Sequence, residues 1–530
     1  MKTVLSGLSL LAVLLSLSAC APKEEPEKAD TDSFPLVPKE SRSPAFEAVG
    51  KDLDLGGNFF YFKDFGTAFQ ELGGQLNAFM GGMAAHSPTD MGMMMAAMFP
   101  YDQAVEILGI SELSAIGASS YSEGTTFRNK SVVYLPGGAK GLFALFGEQP
   151  HAFDALALAP ADADIFVTQD IRGRVIAQVV RDGAEAFMPG NGDQAAASIL
   201  GKPVSPASTL TIGDALDKSD TVVTTVVRFG EMSEMALPMA EESISVPQTE
   251  FFVQLKGMSW LVSEGVIPIE MNVSEGTMTR TEEGDLVIYQ DEASAPTGLP
   301  LPTVVVILDT ATGDLTIASS RAFFDECRSG KARLADTPAY QAAVKGLPTE
   351  GNGLTFVSQE AFQTFIALRD NIVEQFPQAA GVLGLYEFVF PVLSLDKAEA
   401  GAAAVTVIRP DSIFSDARWP TVSAGFGDSS TLMASTGVFA AMAIPAFNKV
   451  RETSREKTIT NNLRQVGAAG QLYLLEEGAT EVAYPTLVEK QYVMPLEPVN
   501  GESYEDLVIE ADGGTLEVIT DSGETVEYAY

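Results

Sequence analysis

The chain has 530 residues, 46% of them hydrophobic, which is enough for two to four domains with sizeable cores. Lysine and arginine number 33 against 71 aspartates and glutamates, a formal charge of −38, and such a surface repels phosphate backbones and anionic headgroups, so nucleic acid is not an expected partner. With only two histidines and two cysteines, nitrogen and sulfur ligands are nearly absent, and neither a metal nor a cofactor is expected.

The N-terminus has the form of a secretory signal. Lys2 supplies a positive start, Val4 to Leu17 is a short apolar core, and Leu17-Ser18-Ala19-Cys20 closes it; the run is too short for a stable membrane span. That closing tetrapeptide resembles the lipobox of bacterial lipoproteins. The resemblance implies that residues 1–19 are removed as a signal peptide and that Cys20 is acylated, fixing the protein to a membrane through its N-terminal lipid. Ala21, where an aspartate would direct retention, implies the outer membrane, facing the periplasm. The other reading is an ordinary signal with an incidental cysteine. Residues 20–43, rich in proline and charge, read as a flexible tether. Once Cys20 carries lipid, Cys327 stands alone and no internal disulfide can form; in RAFFDECRSG it reads as a small packing residue rather than a nucleophile.

The body contains an internal echo. SPAFEAVGKDLDLGGNFFYF, from Ser43, lines up at constant offset with TPAYQAAVKGLPTEGNGLTF, from Thr337. Pro44/Pro338, Phe46/Tyr340, Gly57/Gly351, Asn58/Asn352 and Phe62/Phe356 coincide. Each copy predicts a short helix started by Ser/Thr-Pro, a glycine turn, a strand and a further helix. A looser third version, ALAPADADIFVTQDI from Ala157, precedes the helical IRGRVIAQVVRDGAEAF. Duplication predicts an α+β body in two lobes, residues 44–219 and a strand-rich 220–430, with antiparallel sheets. TVVVILDTATGDLTIAS reads as a hairpin turning near Thr312-Gly313-Asp314. The phrase LADTPAYQAAVKGLP resembles a group of bacterial envelope lipoproteins of unknown function.

After the first copy lies MGGMAAHSPTDMGMMMAAM, holding Met80, Met83, Met91, Met93, Met94, Met95 and Met98 with His86. Thioethers with an imidazole suit Cu(I), but no Met-x-x-Met array repeats, and methionine also builds adaptable apolar contact surfaces or plain core. No nucleophile elbow, phosphate loop or His-Glu-x-x-His motif is present in the sequence. Pairs among the 71 acids leave a carboxylate hydrolase as an open alternative.

Near the C-terminus, FAAMAIPAFNKVRETSREKTITNNLRQVG is followed by YPTLVEKQYV, expected as loop, and by two β-prone runs expected as a small antiparallel sheet. From Ile459 the apolar residues fall at Leu463, Val466, Ala469 and Tyr473, one face of an amphipathic helix. The words AIPAFNKVRETS and NNLRQV, with the Tyr-Val-x-Pro turn, resemble type IV pilins and type II secretion pseudopilins over residues 437–530. That resemblance implies a long helix with a small antiparallel sheet and contact with pilus or secretion-system subunits through Phe439, Ile444, Phe447, Ile459, Leu463 and Val466. The glycine of Gly437-Val438-Phe439 is the nearest equivalent of the family's processing site, and no acidic residue follows before Glu452, so processing and polymerisation are not implied. An unrelated amphipathic helix packed on the body is the plainer alternative.

These readings converge on a non-enzymatic, membrane-anchored envelope lipoprotein that presents interaction surfaces, accessory to a type IV pilus or type II secretion system. An envelope carrier or sensor holding an apolar or lipidic ligand through the Met-rich segment is the runner-up. Oligomeric state is not legible at this level.

Overall fold

The structure, a computed structural model, describes residues 38–86, 101–205, 208–236, 243–267, 269, 278–291, 304–375, 399–422, 459–496, 498, 501–511, 513–520 and 525–530. The chain divides into two compact units, residues 1–434 and 435–530.

The first unit is α+β, built on one antiparallel sheet of thirteen strands among the described residues. Three copies of a strand–helix–hairpin unit supply most of it. In the first, β1 (Phe59–Asp64) leads into the helix Ala68–His86 and then the hairpin β2 (Ala115–Glu123) and β3 (Thr126–Tyr134). After the two-residue strand β4 (His151–Ala152), the second has β5 (Ile165–Arg172), the helix Gly173–Phe187, β6 (Asp220–Ala236) and β7 (Ser243–Leu255). A meander follows: β8 (Met278–Glu283), β9 (Leu286–Asp291), β10 (Val305–Asp309) and β11 (Asp314–Ala318). After the two-residue strand β12 (Glu350–Gly351), the third copy has β13 (Gly353–Val357), the helix Gln359–Gln375, β14 (Ala402–Arg409) and β15 (Ser412–Trp419). Across the sheet the order is β1-β2-β3-β15-β14-β13-β5-β6-β7-β11-β10-β9-β8. Like strands therefore meet like strands, β3 beside β15 and β13 beside β5, each pair antiparallel and so related by a local two-fold.

The echo read in the sequence is visible at side-chain level. Ser43 and Thr337 cap their helices, Pro44–Gly50 and Pro338–Val344, by accepting from the amides of Phe46 and Tyr340, and proline opens both, where its missing N–H costs nothing. Phe46 stands edge-on to Phe62 at 5.0 Å, and Tyr340 edge-on to Phe356 at 5.5 Å. Gly57 and Gly351 occur where a Cβ would collide with the carbonyl of Ser120 in β2 and of Thr406 in β14 respectively.

Each face of the sheet has its own core. On one, Phe166, Leu354, Phe356, Val405 and Phe414 pack under the helices Pro44–Gly50, Pro338–Val344 and Arg321–Arg328. On the other, Ile165, Val167, Val357, Ala402 and Trp419 meet Ala361 and Phe362 of the helix Gln359–Gln375. Coverage on both sides explains why β13 is buried at every position and reads as a continuous apolar run.

Two sequence expectations change. The boundary at 219/220 does not separate compact bodies: β5 before it and β6 after it are neighbours in the same sheet, because that boundary falls inside the second copy. In TEFFVQLKGMSWLV the strand stops at Leu255, since Gly257 takes φ 71°, and Trp260–Ser263 is a helical turn. The predicted hairpin forms, with Asp309 opposite Asp314.

The second unit is a helix, described over 459–477, followed by the short helix Tyr484–Glu489 and the pairs β16 (Glu481–Ala483) with β17 (Val508–Glu510) and β18 (Thr515–Ile519) with β19 (Thr525–Ala529). Its helix-then-sheet order matches the expected architecture. YPTLVE, expected as loop, is helical because Pro485 sits in the first turn while Tyr484 and Leu487 point into the core.

Candidate functional site

The residues singled out in the sequence have separate fates. Cys20, Met91, Met93, Met94, Met95, Met98, Phe439, Ile444 and Phe447 lie outside the described residues. Met80 and Met83 fall in the helix Ala68–His86, with side chains outside the described set. Ile459, Leu463 and Val466 are 1%, 0% and 0% exposed in the core of the second unit. They are therefore not a contact surface: the apolar face of that helix is occupied by its own sheets, and its exposed side carries Leu472 and Leu475.

Several groups that could do chemistry are tied into the framework. The Cys327 thiol is 0% exposed, and burial pushes its pKa up to about 12, far from the reactive range. His151 in β4 directs Nε2 at the Asp170 carboxylate (2.9 Å) and Nδ1 at the Ala152 carbonyl (2.9 Å). Both partners are acceptors, so the ring donates twice only as imidazolium. Burial alone would lower the pKa of His151, but the Ala152 carbonyl and Asp170 together raise it. Asp170 is held in turn by the amide of Asn352, which also donates to the Gln149 carbonyl and accepts from the Ile408 N–H. Asn352 is the copied Gly-Asn asparagine, and it pins the β4 segment onto β13. Arg228 faces Asp162, Glu250 and Glu326 and lies 4.8 Å over the Phe323 ring. Arg128 grips Asp416 with two hydrogen bonds and donates to the carbonyls of Lys345 and Gly346, just past the helix Pro338–Val344. Among the described residues no group of three or more His, Cys, Asp or Glu is placed to hold a metal ion.

Two features remain open to a ligand or partner. The first is a helical layer in which the helices Ala68–His86, Tyr101–Ile107, Gly173–Phe187, Gly192–Leu200 and Ile212–Lys218 pack in succession. Phe79, Met188 and Ile199 stand on this layer 62%, 53% and 52% exposed. An open depression of about 440 Å³ between the second and third of these helices is lined by Glu106, Ile107, Asp182, Glu185 and Pro189, so its charges are all negative. The second feature is a set of hydroxyls on the sheet face that carries Val167 and Val357. Ser131 lies directly opposite Ser415, while Ser120, Asn129, Ala417, Ala404 and Thr355 form the adjacent row across β2, β3, β15, β14 and β13. The hydroxyls of Ser120, Ser131, Thr355 and Ser415 are buried and, among the described residues, have no hydrogen-bond partner. Sequence reasoning passed over them. The available signal was the small and polar residues of Gly117 to Ser120 in AIGASSYSE and of Asn129 to Ser131 in TFRNKSVVY, where strand positions ordinarily carry branched apolar residues.

No helix among the described residues is long and apolar enough to cross a membrane. No family model, no curated protein and no solved structure matches the chain.

Proposed function

We propose that the protein is a lipid-anchored envelope component that acts by presenting binding surfaces rather than by catalysis, with residues 437–530 serving a type IV pilus or type II secretion system. The observation that carries this reading is the helical layer, where Phe79, Met188 and Ile199 stand exposed beside a depression lined by Glu106, Asp182 and Glu185. Apolar anchors within a negative field suit a partner protein with apolar side chains ringed by lysine or arginine. The sealed Cys327 and the doubly bonded His151 support the same reading. In-cell crosslinking of the full chain against one ending at Ser435 tests it. Crosslinks from residues 459–477 to pilus or secretion subunits, lost on truncation, support the accessory role; crosslinks confined to the chain itself remove it. Separately, Cys20→Ser should release the protein from membranes, and retention would refute the anchor.

A second reading has its own observation. The hydroxyls of Ser120, Ser131, Thr355 and Ser415 on one small-residue face, without partners among the described residues, favour a carrier whose ligand accepts or donates there. Native mass spectrometry of the purified protein tests it: a bound species lost in Ser131→Ala/Ser415→Ala supports carriage, and an apo mass for the wild type rejects it.

A further inference from the structure

The three copied units differ in what lies beside their first strands. β13 and β5 lie side by side, and the opposite residues Phe356 and Phe166 occupy the same place in GLTFVSQ and ADIFVTQ. The local two-fold runs through that pair, and both rings are buried, 1% and 0% exposed. β1 is the corresponding first strand of the remaining copy, with Phe62 at the position of Phe356. Among the described residues β1 pairs only with β2 and forms one end of the sheet.

The two sheet ends are built differently. β8, at the far end, is MTRTEE, with four exposed positions and an Arg280–Glu282 ion pair, the charged chemistry that protects an edge from pairing. β1 is FFYFKD. Phe60 and Phe62 are only partly buried against the core, and Tyr61 is 43% exposed. An apolar edge of this kind is an unsatisfied row of backbone donors and acceptors beside half-covered rings.

We propose that β1 pairs antiparallel with β1 of a second copy of this chain, repeating between molecules the contact that β13 and β5 make within one. The internal pair sets the register. Phe62 faces Phe62 of the partner, as Phe356 faces Phe166, and Tyr61 faces Lys63 of the other copy on the opposite side of the sheet. The sheet then runs unbroken through both molecules, and the Phe60 and Phe62 rings complete their burial. Chains of formal charge −38 repel, so salt strengthens the association.

The test co-expresses full-length Tyr61→Cys and Lys63→Cys chains and reads disulfide formation on a non-reducing gel, beside sedimentation of the wild type. Opposed strand positions lie within disulfide reach, whereas two copies of position 61, or two of position 63, are offset beyond it. Expected are a species of doubled mass from the mixed pair, absent with either variant alone, and a wild-type dimer fraction that rises with salt. A monomer at every concentration, crosslinks independent of the pairing, or capture only of a different protein would overturn the proposal. Tyr61 and Lys63 are both exposed, so the cysteines leave the core untouched.

Discussion

Phe166 and Phe356 lie directly opposite each other across β5 and β13, at the centre of a local two-fold that relates two copies of one folding unit. Phe62 is their counterpart at the end of the sheet, and the contrast in surroundings gives a graded prediction. Truncation of a fully buried phenylalanine removes the transfer energy and leaves a cavity, about 3–5 kcal/mol in all. Phe356→Ala should lose that much in chemical denaturation, while Phe62→Ala, partly exposed in the single chain, should lose roughly half. Equal losses would mean that the β1 edge is already covered.

His151 makes the β4 clasp dependent on pH. Its pKa in the folded protein is raised above the unfolded value, so the stabilisation is fully present below the unfolded pKa, about 6.5, and disappears as pH rises through the folded pKa. Asp170→Asn should therefore be destabilising at pH 6 and nearly silent at pH 9, measured as midpoints of chemical denaturation. A loss that stays constant across that range would show that Asp170 acts only through Asn352.

Asp309 moves in the opposite direction. Burial would raise its pKa, yet the Thr312 amide, Arg328 and the Ala311 amide hold it below the ordinary carboxylate value. Its contribution is present above the unfolded pKa, about 3.9, and is lost as pH falls through the folded one. Asp309→Asn should thus flatten the acid limb of the stability profile below about pH 4, and an unchanged acid limb would exclude Asp309 as a determinant.

How far the sequence was legible depended on how local the determining physics is. The caps at Ser43 and Thr337 and the hairpin before Asp314 are short-range, and both were readable, whereas Gly57 and Gly351 read only as turn glycines because their approach to Ser120 and Thr406 is long-range. The joining of like strands was not, because pairing β3 with β15 and β13 with β5 depends on contacts hundreds of residues apart. The spacing of Ile459, Leu463 and Val466 predicted their helix correctly, but periodicity marks an apolar face without saying whether it meets a partner or the chain's own sheets. The buried hydroxyls escaped because serine and threonine alternating along a strand have the same pattern as a solvated face.

In the second unit, Glu517 and Glu527 are directly opposite on the exposed face of β18 and β19. Like charges across a strand pair are unfavourable by a few tenths of a kcal/mol or more. Glu517→Lys should stabilise this unit by about 0.5 kcal/mol, read from amide exchange of β18 and β19, and the gain should shrink in high salt. A gain independent of salt would point to side-chain propensity instead.

The Arg128–Asp416 pair offers the most discriminating test of what holds the first unit together. Their side chains are 8% and 6% exposed, joined at 2.5 and 2.7 Å, and Arg418 stands directly opposite Arg128 in the neighbouring strand. Both guanidiniums reach the end of the helix Pro338–Val344: Arg418 to the carbonyls of Ala342 and Ala343, Arg128 to those of Lys345 and Gly346. Positive charge there complements the negative end of the helix dipole. Burial raises the pKa of Asp416 above the ordinary range even against the pull of Arg128, whereas Arg128 stays charged because Asp416 outweighs the same burial. The carboxylate is thus the costly member, present to neutralise a guanidinium that the helix end requires. Asp416→Asn strands a buried cation and should cost about 3–5 kcal/mol. The double change Arg128→Met/Asp416→Leu removes both charges and forfeits only the bonds to the helix end, so it should cost less than Asp416→Asn alone, with a loss near 1–2 kcal/mol in equilibrium denaturation. If the double variant is the less stable of the two, the pair contributes net stability by itself and the helix end is not what it serves.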